Sequence, residues 1–188
     1  MSRPADGAAP ADDAALAARA ARGDREAFGR LVQRWAPQAR RVARAVLRDT
    51  DDADDAAQDA FLSALVDLDR YDPARPFGPW LMRIVANAAT DRRRRRAVRR
   101  AEPLTSSLPG GSRPDATAER RVLGEHLRAA LAELPERQRL AVALFDVEGY
   151  SHADIAGILG IPEGTVRSDV FNARRRLRVL LEDWREPT

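Results

Sequence analysis

Apolar positions recur along this chain at helical spacing, and no stretch alternates with the period of two that marks a strand. An alanine-rich run from Ala14 to Ala21 favours helix, and Gly23 ends it. Asp24 suits the cap of a second helix with Phe28, Leu31, Val32 and Trp35 on one stripe. Pro37 is expected to restart the chain before a stripe of Ala39, Val42, Ala43, Val46 and Leu47. Asp51 and Asp52 then read as caps of a helix reaching about Leu68, its apolar face being Ala57, Phe61, Ala64, Leu65 and Leu68. Tyr71 to Pro79, carrying Pro73, Pro76 and Pro79, reads as a loop. Trp80, Leu81, Ile84, Val85 and Ala88 mark the helix that follows and runs into an arginine block.

The periodicity lapses between about Arg100 and Thr117, where Pro103, Pro109, Gly110, Gly111 and Pro114 stand among serines. Helical spacing resumes with Val122, Leu123, Leu127, Ala130, Leu131 and Leu134, and Pro135 breaks it. A helix from Glu136 to about Glu148 follows, with Gly149 suited to the residue just past its end. Ser151 with Asp154 resembles a capping box, Gly160 closes that helix, and Pro162 fits the first turn of the last one. The expectation is an all-α chain of two small helical domains: a disordered tail at 1–13, a first domain at 14–99, a flexible linker at 100–117 and a second domain at 118–184.

Composition narrows the function classes. Net charge is only +3 over 188 residues, so overall charge says little about partners. Its distribution says more, because acids crowd Asp49 to Asp72 while arginines crowd Arg92 to Arg100 and Arg167 to Arg178. Arginine supplies the basic residues, which suits bidentate contact with phosphates and base edges. There is no cysteine, so disulfides, thiolate metal sites and cysteine nucleophiles are excluded, and a reducing, cytoplasmic setting is expected. Met1 to Asp13 has no apolar core of the kind a signal peptide needs, and no run approaches a membrane span. His126 and His152 lie on different helices without neighbouring ligands, Ser151 is a cap, and no glycine-rich phosphate loop is present. Neither an enzyme nor a metal or other cofactor is expected.

Ser151 to Arg178 reads as a helix-turn-helix. Ala156 is small where two helices would cross, and Gly160 supplies the turn. Ile155, Leu159, Ile161, Val166 and Val170 supply a shared core. The remaining face of the last helix carries Thr165, Arg167, Ser168, Phe171, Asn172, Arg174, Arg175 and Arg176. Such a face can enter a major groove, its N-terminal side chains meeting bases and its arginines meeting phosphates. The same pattern also fits an ordinary helical hairpin with a solvated basic face. The stripe Val166, Val170, Ala173, Leu177, Leu180 and Trp184 reads as core packing, being too short for a zipper.

Three motifs in order then carry a family resemblance. Asp52 to Phe61 (DADDAAQDAF), and Phe77 to Asn87 (FGPWLMRIVAN) followed by Asp91-Arg92-Arg93, resemble conserved region two of bacterial sigma factors. Leu134 to Arg139 (LPERQR), Glu148 to Ser151 (EGYS) and Gly160 to Arg167 (GIPEGTVR) resemble conserved region four. Together they span roughly Asp24 to Leu181 and resemble most the small two-domain extracytoplasmic-function group of the sigma-70 family.

The resemblance implies a transcription initiation factor that binds core RNA polymerase, reads a duplex element near minus thirty-five and melts an element near minus ten. It implies that Asp54, Asp55, Gln58 and Asp59 dock on the β′ clamp helices, and that the second domain meets the β flap. It implies that Phe77, Trp80, Arg83, Asn87, Asp91, Arg92 and Arg94 serve the minus-ten strand, with Asn87 and Asp91 reading bases. By residue pattern alone, Trp80 fits the core better, and the acidic helix start could equally be a solvated surface. Pro79 departs from the family pattern, so loop-level base specificity is not carried over. An anti-sigma protein is a partner on resemblance alone. The competing reading is a stand-alone helix-turn-helix regulator, which would need a dimer interface or sensor domain that the sequence does not display. About 17 linker residues, at most 3.3–3.6 Å each, would reach roughly 55–60 Å. That matches two DNA elements about 17 base pairs apart at 3.4 Å per step.

Overall fold

In the computed structural model, residues 10–47, 49–101 and 118–185 are described, and among them there are helices and turns but no strand. The helices are α1 (Pro10–Ala21), α2 (Arg25–Val46), α3 (Thr50–Val66), α4 (Phe77–Ala101), α5 (Ala118–Ala132), α6 (Glu136–Val142), α7 (His152–Leu159) and α8 (Glu163–Arg185). A short 3₁₀ turn spans Leu68–Arg70, and a π-helical turn spans Ala143–Val147. The expected tail at 1–9 and linker segment at 102–117 lie outside the described residues.

Helix α1 begins at Pro10, inside the stretch expected to be tail. Two features hold it: Asp12 and Asp13 favour its positive end, and both pair with Arg34 of α2. Leu16, Ala17 and Ala20 are buried behind that ion pair. Helix α2 runs through Pro37 instead of restarting there. Pro37 and Gln33 are both exposed, so water can satisfy the carbonyl that the proline leaves without a donor. Asp24 caps α2 as expected, accepting from the Ala27 amide at 3.0 Å. The cap of α3 is Asp49, not Asp51 or Asp52; its carboxylate accepts from the amides of both, at 3.0 and 3.2 Å.

Helix α4 starts at Phe77, so Pro79 falls in its first turn, where a missing amide donor costs nothing. α4 packs against α2 and α3 on one side and α7 on the other. Leu81, Met82, Val85 and Ala89 are fully buried along it.

The second half is built on α6, α7 and α8. Gly149, with φ 74°, turns the chain between the π-helical turn and α7. The Ser151 hydroxyl accepts from the Asp154 amide at 3.1 Å, and the Asp154 carboxylate accepts from the Ser151 amide at 3.2 Å, completing the capping box. Gly160 adopts φ 66°, a left-handed conformation that glycine enters without a Cβ clash. Asp169, only 4% exposed, accepts from Arg137 at 2.6 Å and ties α8 to α6. The two halves share one apolar core: Leu140, Leu144, Ile155 and Ile158 belong to the same buried cluster as Val42, Val85 and Ala86.

Candidate nucleic-acid interface

Helix α8 spends its apolar side on the core. Val166, Val170 and Ala173 are buried, joined from α7 by Ile155 and by Ile158, which the sequence pattern missed. That packing fixes which side faces water. Arg167, Ser168, Phe171, Arg174, Arg175 and Arg176 are exposed, and Thr165 and Asn172 are partly so. Phe171 is 65% exposed, unusual for a large apolar side chain on an otherwise cationic face. Arg167 pairs with Glu163 one turn earlier at 2.6 Å. Arg174 is held more firmly: it pairs through two nitrogens with Asp146 and lies over the Phe145 ring, 5.0 Å from its centre. That ring also stacks on His152, centre to centre 4.4 Å.

On α4, Arg83, Asn87, Asp91 and Arg94 are all exposed and follow one another at helical spacing, forming a single polar stripe. Asn87 and Arg94 line a cavity of about 310 Å³ whose other wall is Glu136, Arg137, Ile158 and Leu159. Trp80 is partly buried in an aromatic cluster, its ring centre 5.2 Å from Tyr71 and 5.4 Å from Phe77. Phe77, expected on the strand-capturing face, is 3% exposed, and packs edge-on against Tyr71 and near Trp35. It is core, because helix α4 begins three residues earlier than a loop ending at Pro79 would allow. The Tyr71 hydroxyl donates to the Arg75 carbonyl at 2.6 Å, which shapes the turn leading into α4. Burial raises the Tyr71 phenol above its ordinary range.

Arg92 turns away from that stripe. Its guanidinium donates to Asp52 at 3.1 Å and to Asp55 at 2.5 Å, with Asp59 at 3.6 Å. Arg96 joins the same acids, pairing with Asp52 and lying 3.5 Å from Asp49. Burial lowers the Arg92 pKa, and its three acids outweigh that and raise it. Two arginines of the basic block therefore fasten α4 to α3, and Arg94 and Arg95 remain exposed.

The acids themselves are divided. Asp54 faces Arg44 and Arg40 of α2 at 3.3 and 3.8 Å. Asp55, Gln58 and Asp59 face outward. Beyond them on the same helix stand Leu62, Leu65 and Val66, exposed by 57%, 45% and 79%. Sequence periodicity put Leu65 in the core; instead Ala60 and Ala64 bring α3 close enough that Leu65 is left outside. The signal available in the sequence was the crowding of large apolar residues beyond what one helix face can bury.

No group of three or more possible metal ligands occurs among the described residues, and none of their helices is long and apolar enough to cross a membrane.

The chain resembles known proteins over most of its length. The family model for sigma-70 region 2 matches residues 31–99, and that for sigma-70 region 4 matches residues 125–177. The chain is 44% identical over 171 residues to the ECF RNA polymerase sigma factor SigM of Mycobacterium tuberculosis, covering 90% of this chain and 84% of that one. Among solved structures it resembles CnrH in complex with the cytosolic domain of CnrY: TM-score 0.69, 32% identity, 92% of this chain and 98% of that one. It also resembles the sigma factor RpoE bound to the anti-sigma factor NepR of Bartonella quintana: TM-score 0.69, 26% identity, 82% and 96% coverage.

Proposed function

Because the chain belongs to the extracytoplasmic-function RNA polymerase sigma factors of the sigma-70 family, a non-catalytic initiation factor that directs polymerase to promoters, we propose how its helices divide that work. α8 reads duplex DNA near minus thirty-five. α4 captures the separated strand near minus ten. α3 docks on the β′ clamp helices, and the second half meets the β flap.

The observation that carries this reading is the orientation of α8. Val166, Val170 and Ala173 commit one side of it to the core, which leaves Arg167, Ser168, Phe171, Arg175 and Arg176 exposed on the side that can enter a groove. Thr165, Asn172 and Phe171 are the groups placed for base edges, and the arginines for phosphates. Phe171 supplies an apolar surface for a thymine methyl. On α4, Asn87 and Asp91 offer amide and carboxylate to an unstacked base, with Trp80 two turns before Asn87 and Arg83 and Arg94 flanking for the backbone. Strand opening then draws on binding energy alone, without hydrolysis. On α3, Asp55, Gln58 and Asp59 present acids to an arginine-rich partner, with Asp54 turned to the arginines of α2. Leu62 and Val66 extend that face with apolar area.

Solved relatives have been captured with CnrY and with the anti-sigma factor NepR. By extension we include an anti-sigma protein among this chain's partners.

Run-off transcription with purified core polymerase and a promoter library tests the reading as a whole: the chain supports initiation at a subset of promoters. No initiation anywhere in the library would overturn it. Asp55→Lys with Asp59→Lys is expected to abolish polymerase binding, and unaltered binding would remove α3 from the docking surface.

A further inference from the structure

The first turn of α1 carries two carboxylates that share a partner and differ in surroundings. Asp12 is exposed, whereas Asp13 is 4% exposed. Both pair with Arg34 of α2, Asp12 at 2.7 Å. The exposed pair alone would fasten α1 to α2. Burying a second carboxylate costs it its water, so Asp13 calls for a reason of its own. Burial raises its carboxyl above the ordinary range, and Arg34 and the indole N–H of Trp35 pull against that rise. The Trp35 nitrogen is sealed from water and short of a hydrogen bond, so the Asp13 charge acts on it through space. The same charge adds to the burial that raises the Tyr71 phenol. Asp13 therefore acts on Arg34 and Trp35 of α2 and on Tyr71, the residue that opens the loop before α4.

These side chains lead directly to the head of α4. The Trp35 ring lies 6.1 Å from Phe77, centre to centre, and so close over Gly78 that a Cβ there would stand 2.4 Å from it. Tyr71 lies 5.3 Å from Phe77 and 5.2 Å from Trp80. Its hydroxyl closes the loop on the Arg75 carbonyl. Residues 72–76 are exposed, and the buried rings of Tyr71 and Phe77 stand at the two ends of that segment. Helix α1 also touches the Leu68–Arg70 turn and α4 itself.

We propose that Asp13 is a positioning residue for strand opening: by tying α1 to Arg34, Trp35 and Tyr71, it sets the pose of Trp80 and the first turns of α4 against the separated minus-ten strand. The inference rests on the reading of α4 as the strand-capturing helix. Asp13 acts through the aromatic cluster and touches no DNA. A gripping face needs its groups held within about 0.5 Å by the side chains behind them, and α1 supplies that backing.

Opening is read from a fluorescent base analogue in the minus-ten element of a promoter that the parent uses, with the chain bound to core polymerase. Varying polymerase separates the affinity of the closed complex from the opening rate at saturation. Asp13→Asn should slow opening several-fold at saturation and leave closed-complex affinity and polymerase binding unchanged. Asp12→Asn, the same change on the same arginine, should open at the parental rate. Tyr71→Phe keeps the ring, drops the tie to Arg75 and should slow opening as well. The double variant should be no slower than the slower single, because both act on one path. Val46→Ala, a core truncation at the far end of α2, should lower stability and leave the opening rate alone.

Parental opening in Asp13→Asn, or in Tyr71→Phe should the first variant not fold, overturns the proposal. Equal slowing in Asp12→Asn or Val46→Ala also overturns it, since lost stability would then account for the effect. Asn87→Ala separates this proposal from the reading beneath it. If Asn87→Ala opens like the parent, strand capture by α4 is wrong; if it slows while Asp13→Asn does not, only the role of Asp13 is wrong.

Discussion

Single side chains on the candidate faces differ in how free they are to act. Arg174 already has a carboxylate on its guanidinium and a ring beneath it, whereas Arg175 is exposed. Arg175→Ala should therefore weaken promoter duplex binding and reduce the slope of log affinity against log salt by about 1, as expected for one lost phosphate contact. Arg174→Ala should change that slope less, because Asp146 neutralises part of its charge beforehand. Equal slopes for both variants would contradict this ranking. Phe77 belongs to a different class. Buried among Tyr71, Trp35 and Trp80, it should cost about 3–5 kcal/mol of stability when cut to alanine, read from urea melts. A Phe77→Ala protein of parental stability that only loses strand opening would return that residue to the DNA-facing set. The sequence could not separate these cases, since an aromatic before a basic helix looks the same buried or exposed.

Helices and their ends were the most legible part of the chain. The Asp24 cap, the Ser151–Asp154 capping box and the Gly160 turn each rest on local chemistry, and local chemistry is what a sequence displays. Ser151→Ala should cost about 1 kcal/mol, measured by thermal or urea unfolding. The cap of α3 was misplaced by two residues because Asp49, Asp51 and Asp52 all have capping chemistry, and only backbone conformation selects Asp49. The amides of Asp52 and Asp51, with Arg96 nearby, hold the Asp49 carboxyl below its usual range. A depressed carboxyl stabilises the fold above its unfolded pKa of 3.8, and that contribution disappears as pH falls through the lower folded value. Asp49→Asn should therefore flatten the acid side of the stability profile as pH falls below the unfolded pKa of 3.8, relative to the parent. The continuity of α2 through Pro37 and the π-helical turn at Ala143–Val147 were not legible, since both depend on what packs on the other side.

For the molecule as a whole, the sequence suggested two independent cores, while the folded chain buries residues of both halves in one cluster. The reason is distance along the chain. Arg41 and Glu148 are 107 positions apart, and an arginine and a glutamate each read locally as solvated charge. A shared core predicts one cooperative unfolding transition, coincident by helix signal and by fluorescence. Arg41→Glu should split it into two, and a parent that already unfolds in two steps would argue for independent halves. Burial also raises the Tyr150 phenol above its ordinary value of 10.0. An acid group raised on folding stabilises the fold below its unfolded pKa, and that contribution is lost as pH climbs beyond 10. Tyr150→Phe should remove this part of the alkaline loss of stability.

The placement of Trp35 has an optical consequence. Its partly buried ring lies against Gly78, next to Tyr150, so parting the halves would wet more of the indole. The chain has three tryptophans, the others being Trp80 and Trp184. With Trp80→Phe and Trp184→Phe in place, emission from the remaining indole would shift to the red as the halves separate and to the blue as they meet. The protein thus carries an optical gauge of how closely its two halves meet, readable without dyes during unfolding.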